Sequence, residues 1–157
     1  MKYFATMFLA VAALAVPASA EGLKVKPVTH EATLKECSAC HMAYQPQFLP
    51  TRSWEALMKD LGNHFGESAA LDPAVTSDIT AYLTANAADA GGKKNRLLRG
   101  LDDNVTPLRI SEMPWWTRAH NELSPKAFKR AGVNSPANCI ACHKTADTGY
   151  YSEEEED

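Results

Sequence analysis

The chain has 157 residues and a formal charge of −3 at pH 7. That length suits one ordinary domain or two small ones. The negative charge comes from an acidic tail at residues 153–157, and the remainder is nearly neutral, so nothing indicates nucleic-acid binding. We interpret the tail as a solvated segment, with docking to a basic partner as the alternative.

Residues 1–20 have the three parts of a secretory signal peptide. Lys2 supplies the positive start, residues 4–16 are apolar, and Ala18-Ser19-Ala20 forms a small-residue cleavage site. The apolar run is too short to span a bilayer as a helix, so a cleaved signal is preferred to an uncleaved anchor. We therefore expect a soluble protein exported to the periplasm.

A five-residue pattern, Cys-x-x-Cys-His, occurs at residues 37–41 and again at residues 139–143. It is the attachment signature of a c-type haem. On a helix, its two thiols and its imidazole share one face, where they can bond the porphyrin edge and the iron. The sequence predicts two covalent c-type haems, attached through Cys37, Cys40, Cys139 and Cys142.

Other uses of the four cysteines are less consistent with this pattern. A disulfide framework is the ordinary interpretation in an exported protein. A zinc site built from two Cys pairs, or a redox-active Cys-x-x-Cys, are further alternatives. None of them explains why a histidine follows the second cysteine both times, so haem attachment is preferred.

Three helices are predicted before residue 92. The first begins near residues 30–33 and carries the first motif, ending before Gln45-Pro46, since a residue preceding proline avoids the helical region. Thr51 is the expected N-cap of the second, whose apolar stripe runs from Trp54 towards His64. The third begins at Asp72-Pro73, and Gly91-Gly92 after it is the expected domain boundary.

The second half is predicted to contain short helices that begin at Ser111, Ser124 and Ser135, the last of them carrying the second motif. The total is five or six helices with no convincing strand. We therefore predict an all-α fold with two small haem-centred domains, residues 21–92 and 93–152.

The axial ligands follow from the motifs and the helical patterns. His41 and His143 are the expected proximal ligands. His64 and His120 lie on apolar helical faces, and we expect them to be the distal ligands of the first and second haem, respectively. His30 has a polar context and is expected to be a surface residue.

A methionine could take a distal position instead and would raise the potential. Met42 cannot reach the opposite face of its own haem, and Met58 is expected in the core, which leaves Met113 as the rival of His120. Bis-histidine ligation at both haems is preferred. It leaves no open iron position, so the expected function is outer-sphere electron transfer and not catalysis.

The sequence around these residues resembles the periplasmic dihaem cytochrome c family. In the first half the matching segments are residues 36–46, Leu49-Pro50, Ser53-Trp54 and residues 64–67; in the second they are residues 113–116 with His120, and residues 138–143. The resemblance implies two bis-histidine haems with His64 and His120 as distal ligands. It also implies a first domain similar to class I cytochrome c and a less regular second domain.

The same resemblance implies redox partners. Members of that family exchange electrons with a small monohaem, oxygen-binding c-type cytochrome and with a membrane b-type cytochrome. Two other functions stay open: the small dihaem subunit of a periplasmic reductase of the nitrate reductase type, and a haem enzyme or gas-binding protein with one open iron.

Overall fold

The computed structural model of the protein describes residues 22–92 and 95–152. The predicted signal peptide and acidic tail lie outside these ranges. The described chain forms four α-helices: α1 (Glu31–Cys37), α2 (Thr51–Lys59), α3 (Pro73–Ala85) and α4 (Pro114–Ala119). Short 3₁₀ turns lie between and after them, at Pro46–Phe48, Leu61–Asn63, Ala90–Gly92, Arg96–Leu98, Ile110–Glu112, Ala127–Lys129, Cys139–Ala141 and Ala146–Thr148.

The predicted all-α class is confirmed, but the prediction that no strand occurs is wrong. Strand β1 (Leu23–Lys24) pairs antiparallel with strand β2 (Tyr150–Tyr151), and the Val25 N–H extends the pairing by donating to the Gly149 carbonyl at 2.9 Å. Gly149 has a φ of +83°, and a Cβ there would lie 2.3 Å from the Val25 carbonyl oxygen, so the close approach requires glycine. Two-residue strands are too short to show an alternating pattern in sequence.

Helix α3 begins as predicted, whereas α2 is capped differently. Asp72 is the N-cap of α3, and its carboxylate accepts from the Ala74 N–H at 2.8 Å. In α2 the N-cap position belongs to Pro50, and Thr51 is the first helical residue. The Thr51 N–H and hydroxyl both donate to one carboxylate oxygen of Asp89, at 2.8 and 2.7 Å. Asp89, which follows α3 in the chain, therefore accepts the hydrogen bond that a local N-cap side chain was expected to accept.

The prediction that each motif lies on an α-helix is wrong. Helix α1 ends at Cys37, and the second motif begins with a 3₁₀ turn at Cys139–Ala141. A single turn nevertheless remains in each: the His41 N–H donates to the Cys37 carbonyl at 3.3 Å, and the His143 N–H to the Cys139 carbonyl at 2.8 Å. Residues three and four apart in such a turn lie on one side, which is the arrangement that haem attachment needs.

The predicted helix starts in the second half are also corrected. Helix α4 begins at Pro114 with Met113 at the N-cap, because Ser111 lies inside a 3₁₀ turn and the residue before Pro114 is extended. Ser124 and Ser135 precede turns, not α-helices; the Ser135 hydroxyl accepts from the Ala137 N–H at 3.1 Å. Cap-then-proline pairs also start turns, so the pattern alone does not predict helix length.

The apolar core draws on both halves of the chain. Helices α2 and α3 pack against each other, and the buried cluster comprises Leu49, Trp54, Met58, Ile79, Leu83, Ala87, Ala88, Leu98 and Met113. Residues on both sides of the expected boundary at Gly92 therefore share one cluster. Within the described ranges, no helix is both long enough and apolar enough to cross a membrane.

Replacing Asp89 by Ala should destabilise the protein. It removes the acceptor of two hydrogen bonds at the start of α2, and we expect the free energy of unfolding to fall by about 1–2 kcal/mol. Chemical denaturation of the haem-loaded protein measures this. Glu55→Ala, on the exposed face of α2, is the matched control and should change little; an equal loss in both variants would contradict the capping role.

Candidate haem sites

The structure brings the predicted histidines together in two pairs. The ring centroids of His41 and His64 lie 6.2 Å apart with an interplanar angle of 23°. Those of His143 and His120 also lie 6.2 Å apart, but their planes are inclined at 81°. Each motif histidine therefore faces the residue predicted from sequence as its distal partner.

This separation matches two imidazoles on one metal ion. A metal–imidazole nitrogen bond is about 2.0 Å long, and the nitrogen lies ~1.15 Å from its ring centroid, so opposed ligands should have centroids about 6.3 Å apart. The two observed separations of 6.2 Å agree with that value. The assignment of His64 and His120 as sixth ligands stays a prediction, and the geometry supports it.

Backbone carbonyls orient three of the four rings. Nδ1 of His41 lies 2.7 Å from the Met42 carbonyl oxygen, Nδ1 of His120 lies 2.8 Å from that of Trp116, and Nδ1 of His143 lies 2.9 Å from that of Ser152. A carbonyl only accepts, so Nδ1 must carry the proton in each ring. Nε2 is then left as the lone-pair donor that can bind iron.

His64 is held by a tight turn. Its N–H donates to the Glu67 carbonyl at 2.7 Å, and the Glu67 N–H donates back at 3.2 Å. Between them, Phe65 and Gly66 have φ values of +56° and +99°. Positive φ at a non-glycine residue is strained, so this turn fixes His64 at a local cost. Burial, and then the facing His41, lower the pKa of His64, which favours the neutral ring that ligation needs.

His120 is held by the end of α4. It is the C-cap residue, and the Trp116 carbonyl accepts from both its backbone N–H, at 3.1 Å, and its ring Nδ1. Its ring stacks on the Trp116 indole at 4.2 Å, and Phe128 lies at 6.3 Å. Trp116, one turn earlier in the same helix, therefore belongs to the apolar face on which His120 was predicted to lie.

The cysteines have the properties of attachment sites and not of reactive or zinc-bound thiols. None of the four is paired in a disulfide. Burial raises the pKa of the Cys139 thiol to about 11 and also raises that of Cys37, whereas a redox-active thiol has a lowered pKa. In the described part of the chain, no group of three or more His, Cys, Asp or Glu side chains converges as a metal site.

His30 and Met113, the two residues that were not preferred as axial ligands, make other contacts in the structure. Nδ1 of His30 is 3.0 Å from the Thr33 hydroxyl, its Nε2 is 3.3 Å from the Asp78 carboxylate, and its ring stacks on Tyr82. Both ring nitrogens of His30 are therefore engaged, and the residue joins α1 to α3. Met113, the rival of His120, is completely buried in the core.

The surroundings of both pairs suit a large apolar group, and those of the first pair also suit an anionic edge. A cavity of about 320 Å³ beside His64 and one of about 450 Å³ beside His120 adjoin the two sites. Phe65, Leu123 and Ile140 are exposed near them, apolar surface of the kind that a porphyrin covers. Arg109 lies over the Phe65 ring at 4.1 Å and could hold a propionate.

Sequence reasoning did not identify the side chains that surround the proximal rings. Tyr44 stacks on His41 at 4.8 Å, and Tyr151 contacts His143 edge-on at 5.5 Å. Tyr151 carried no signal, because its partner lies eight residues earlier and beyond a turn that no local pattern predicts.

Comparisons with known proteins agree with this arrangement. The family described as dihaem cytochrome c matches residues 33–151. The chain belongs to the dihaem cytochrome c family. A diheme cytochrome c from Rhodobacter sphaeroides has a similar structure, with a TM-score of 0.75 and 53% identity over 81% of this chain and 100% of the other. No curated protein matches significantly.

A more distant structure shows the same fold. The diheme cytochrome type c from Shewanella baltica OS155 is 32% identical, with a TM-score of 0.64, over 78% of this chain and 86% of the other. Membership of this family confirms the resemblance to dihaem cytochromes c. The protein is a c-type cytochrome with two haems that takes part in electron transfer. The positions of Cys37, Cys40, Cys139 and Cys142 fit their attachment.

Removing one distal histidine should convert one haem only. We expect two low-spin ferric signals in the purified holoprotein, and His64→Ala or His120→Ala should turn one of them high-spin, because a strong axial field is lost. Electron paramagnetic resonance (EPR) and optical spectra measure the change. His30→Ala is the control; if it converts a haem while His64→Ala does not, the first distal assignment is wrong.

Proposed function

We propose that this dihaem cytochrome is a periplasmic carrier that relays electrons through two bis-histidine haems and catalyses no reaction of its own. The supporting observation is the pair of facing imidazoles at each motif, with centroids 6.2 Å apart in both cases. Two neutral imidazoles would occupy both axial positions of each iron. No position would then remain for oxygen, peroxide or another substrate.

In this proposal the haems supply one-electron redox chemistry, and the chain holds and tunes them. Cys37, Cys40, Cys139 and Cys142 would hold the porphyrins. The carbonyls of Met42, Trp116 and Ser152 accept from Nδ1 of three imidazoles, so Nε2 of each would be left to bind the iron. Bis-histidine ligation should give lower potentials than the Met/His pair of other c-type cytochromes.

We further propose export and two classes of partner. The sequence of residues 1–20 supports export, since it has the parts of a secretory signal. The resemblance suggests a small monohaem, oxygen-binding c-type cytochrome and a membrane b-type cytochrome as partners. Mixing the reduced protein with such a monohaem cytochrome, and following its reduction by stopped flow, tests the first; no transfer would count against it.

The two haems should have distinguishable ferric EPR spectra. Near-parallel axial rings, such as His41 and His64 at 23°, act together to split the energies of the two iron dπ orbitals. The contributions of near-perpendicular rings, such as His120 and His143 at 81°, largely cancel, so the splitting is small. Near-degenerate orbitals raise the largest g value. We therefore expect an ordinary rhombic signal that is lost in His64→Ala and a signal of larger g that is lost in His120→Ala.

Carbon monoxide tests whether either iron is open. The reduced native protein should show no prompt change in its difference spectrum, because a ligand would first have to displace an imidazole. Dithionite-reduced His64→Ala and His120→Ala serve as positive controls and should each bind at one haem. Prompt binding to the parent at one haem would instead favour an enzyme or a gas-binding protein.

A further inference from the structure

A buried glutamine connects the first motif to the end of the chain. Gln45 lies four residues after His41 and is 0% exposed. Its Nε2 donates to the Ala146 carbonyl at 2.7 Å, and its Oε1 accepts from the Tyr151 hydroxyl at 2.6 Å. A buried amide without partners is costly, so these two bonds strongly restrain where residues 146–151 can lie.

Tyr151 carries that restraint to the second proximal histidine. Its ring packs edge-on against His143 at 5.5 Å and against Phe48 at 5.3 Å. The next residue, Ser152, provides the carbonyl that accepts from Nδ1 of His143 at 2.9 Å. Displacing Tyr151 would therefore disturb a ring contact and the hydrogen bond that orients the imidazole.

A second tyrosine also connects the two motifs: it lies near the first motif and bonds to a residue just before the second. Tyr44 stacks on His41 with an interplanar angle of 15°. Its hydroxyl donates to the Ala137 carbonyl at 2.7 Å, two residues before Cys139. The neighbouring residues Tyr44 and Gln45 thus reach the start and the end of the second haem segment.

We propose that the Gln45–Tyr151 hydrogen bond is a positioning bridge, which holds His143 in a fixed place relative to the first haem segment. The inference rests on the proposed bis-histidine relay and adds the element that sets its geometry. Gln45 and Tyr151 touch no iron; they act through Tyr151 and Ser152 on His143. The distance between two redox centres governs the rate of electron exchange, so such a bridge would matter for the relay.

Tyr151→Phe is the sharpest test, because it removes only the hydroxyl and keeps the ring between Phe48 and His143. A weaker Nδ1 hydrogen bond makes imidazole a poorer donor to ferric iron. We expect the midpoint potential of the second haem to rise and its largest g value to shift. The signal and potential of the first haem should stay as in the parent.

Two further variants separate positioning from general destabilisation. Tyr150→Phe changes an exposed neighbour in the same strand and should leave both haems unchanged. Gln45→Met keeps the length of the side chain but removes its hydrogen-bond donor and acceptor. It should therefore shift the midpoint potential of the second haem in the same direction. Tyr151→Phe added to Gln45→Met should then produce little further shift, because both variants break one interaction.

The outcomes separate the bridge from the proposed function. The spectra of His64→Ala and His120→Ala test bis-histidine ligation independently of the bridge. If Tyr151→Phe leaves the second haem's spectrum and potential at parent values, the bridge is not a positioning element, whatever the parent shows. Equal shifts at both haems, or a shift with Tyr150→Phe, would also overturn it.

Discussion

The 6.2 Å separation between the two imidazole rings of each histidine pair is the constraint on which the rest of this structure depends. It matches the separation that two metal–nitrogen bonds would impose, and it requires two histidines that are distant in sequence to be held at one distance. Side-chain entropy opposes this ordering. The structure offsets that cost with backbone groups: carbonyls accept from Nδ1 of three rings, and the turn after His64 fixes the fourth.

The two sites meet this constraint in different ways. His64 follows its motif in the chain and sits on a turn with strained φ values, whereas His120 precedes its motif and ends a helix. The ring planes differ accordingly, being nearly parallel in one pair and nearly perpendicular in the other. The second site is therefore not a copy of the first. If both pairs bind iron as proposed, the different ring angles would give the two haems unequal ligand fields.

Side chains as well as the covalent chain connect the two sites. The core cluster includes Ile79 from before residue 92 and Leu98 and Met113 from after it. Tyr44 and Gln45 add polar contacts across more than ninety residues of sequence. The apolar contacts supply most of the stabilisation, and the hydrogen bonds choose one arrangement among those that the apolar contacts allow.

Local patterns predicted much of the site because its chemistry is local. The spacing in Cys-x-x-Cys-His indicates thioether attachment whatever surrounds it, and Asp72-Pro73 starts a helix by capping its own N–H groups. The expected caps at Thr51 and Ser111 were wrong, since Asp89 and the turn before Pro114 compete for the same backbone groups. Pairing of strands β1 and β2 had no local signal at all.

The sequence by itself determined the two haem attachment points, the all-α class and the histidines available as ligands, because these depend on residue type and short spacing. Only the tertiary structure decided the angle between the rings of each pair, the tautomer of three of the four imidazoles and the bridge from Gln45 to Tyr151. Those depend on backbone carbonyls and side chains from remote segments. Their positions exist only once the core has packed.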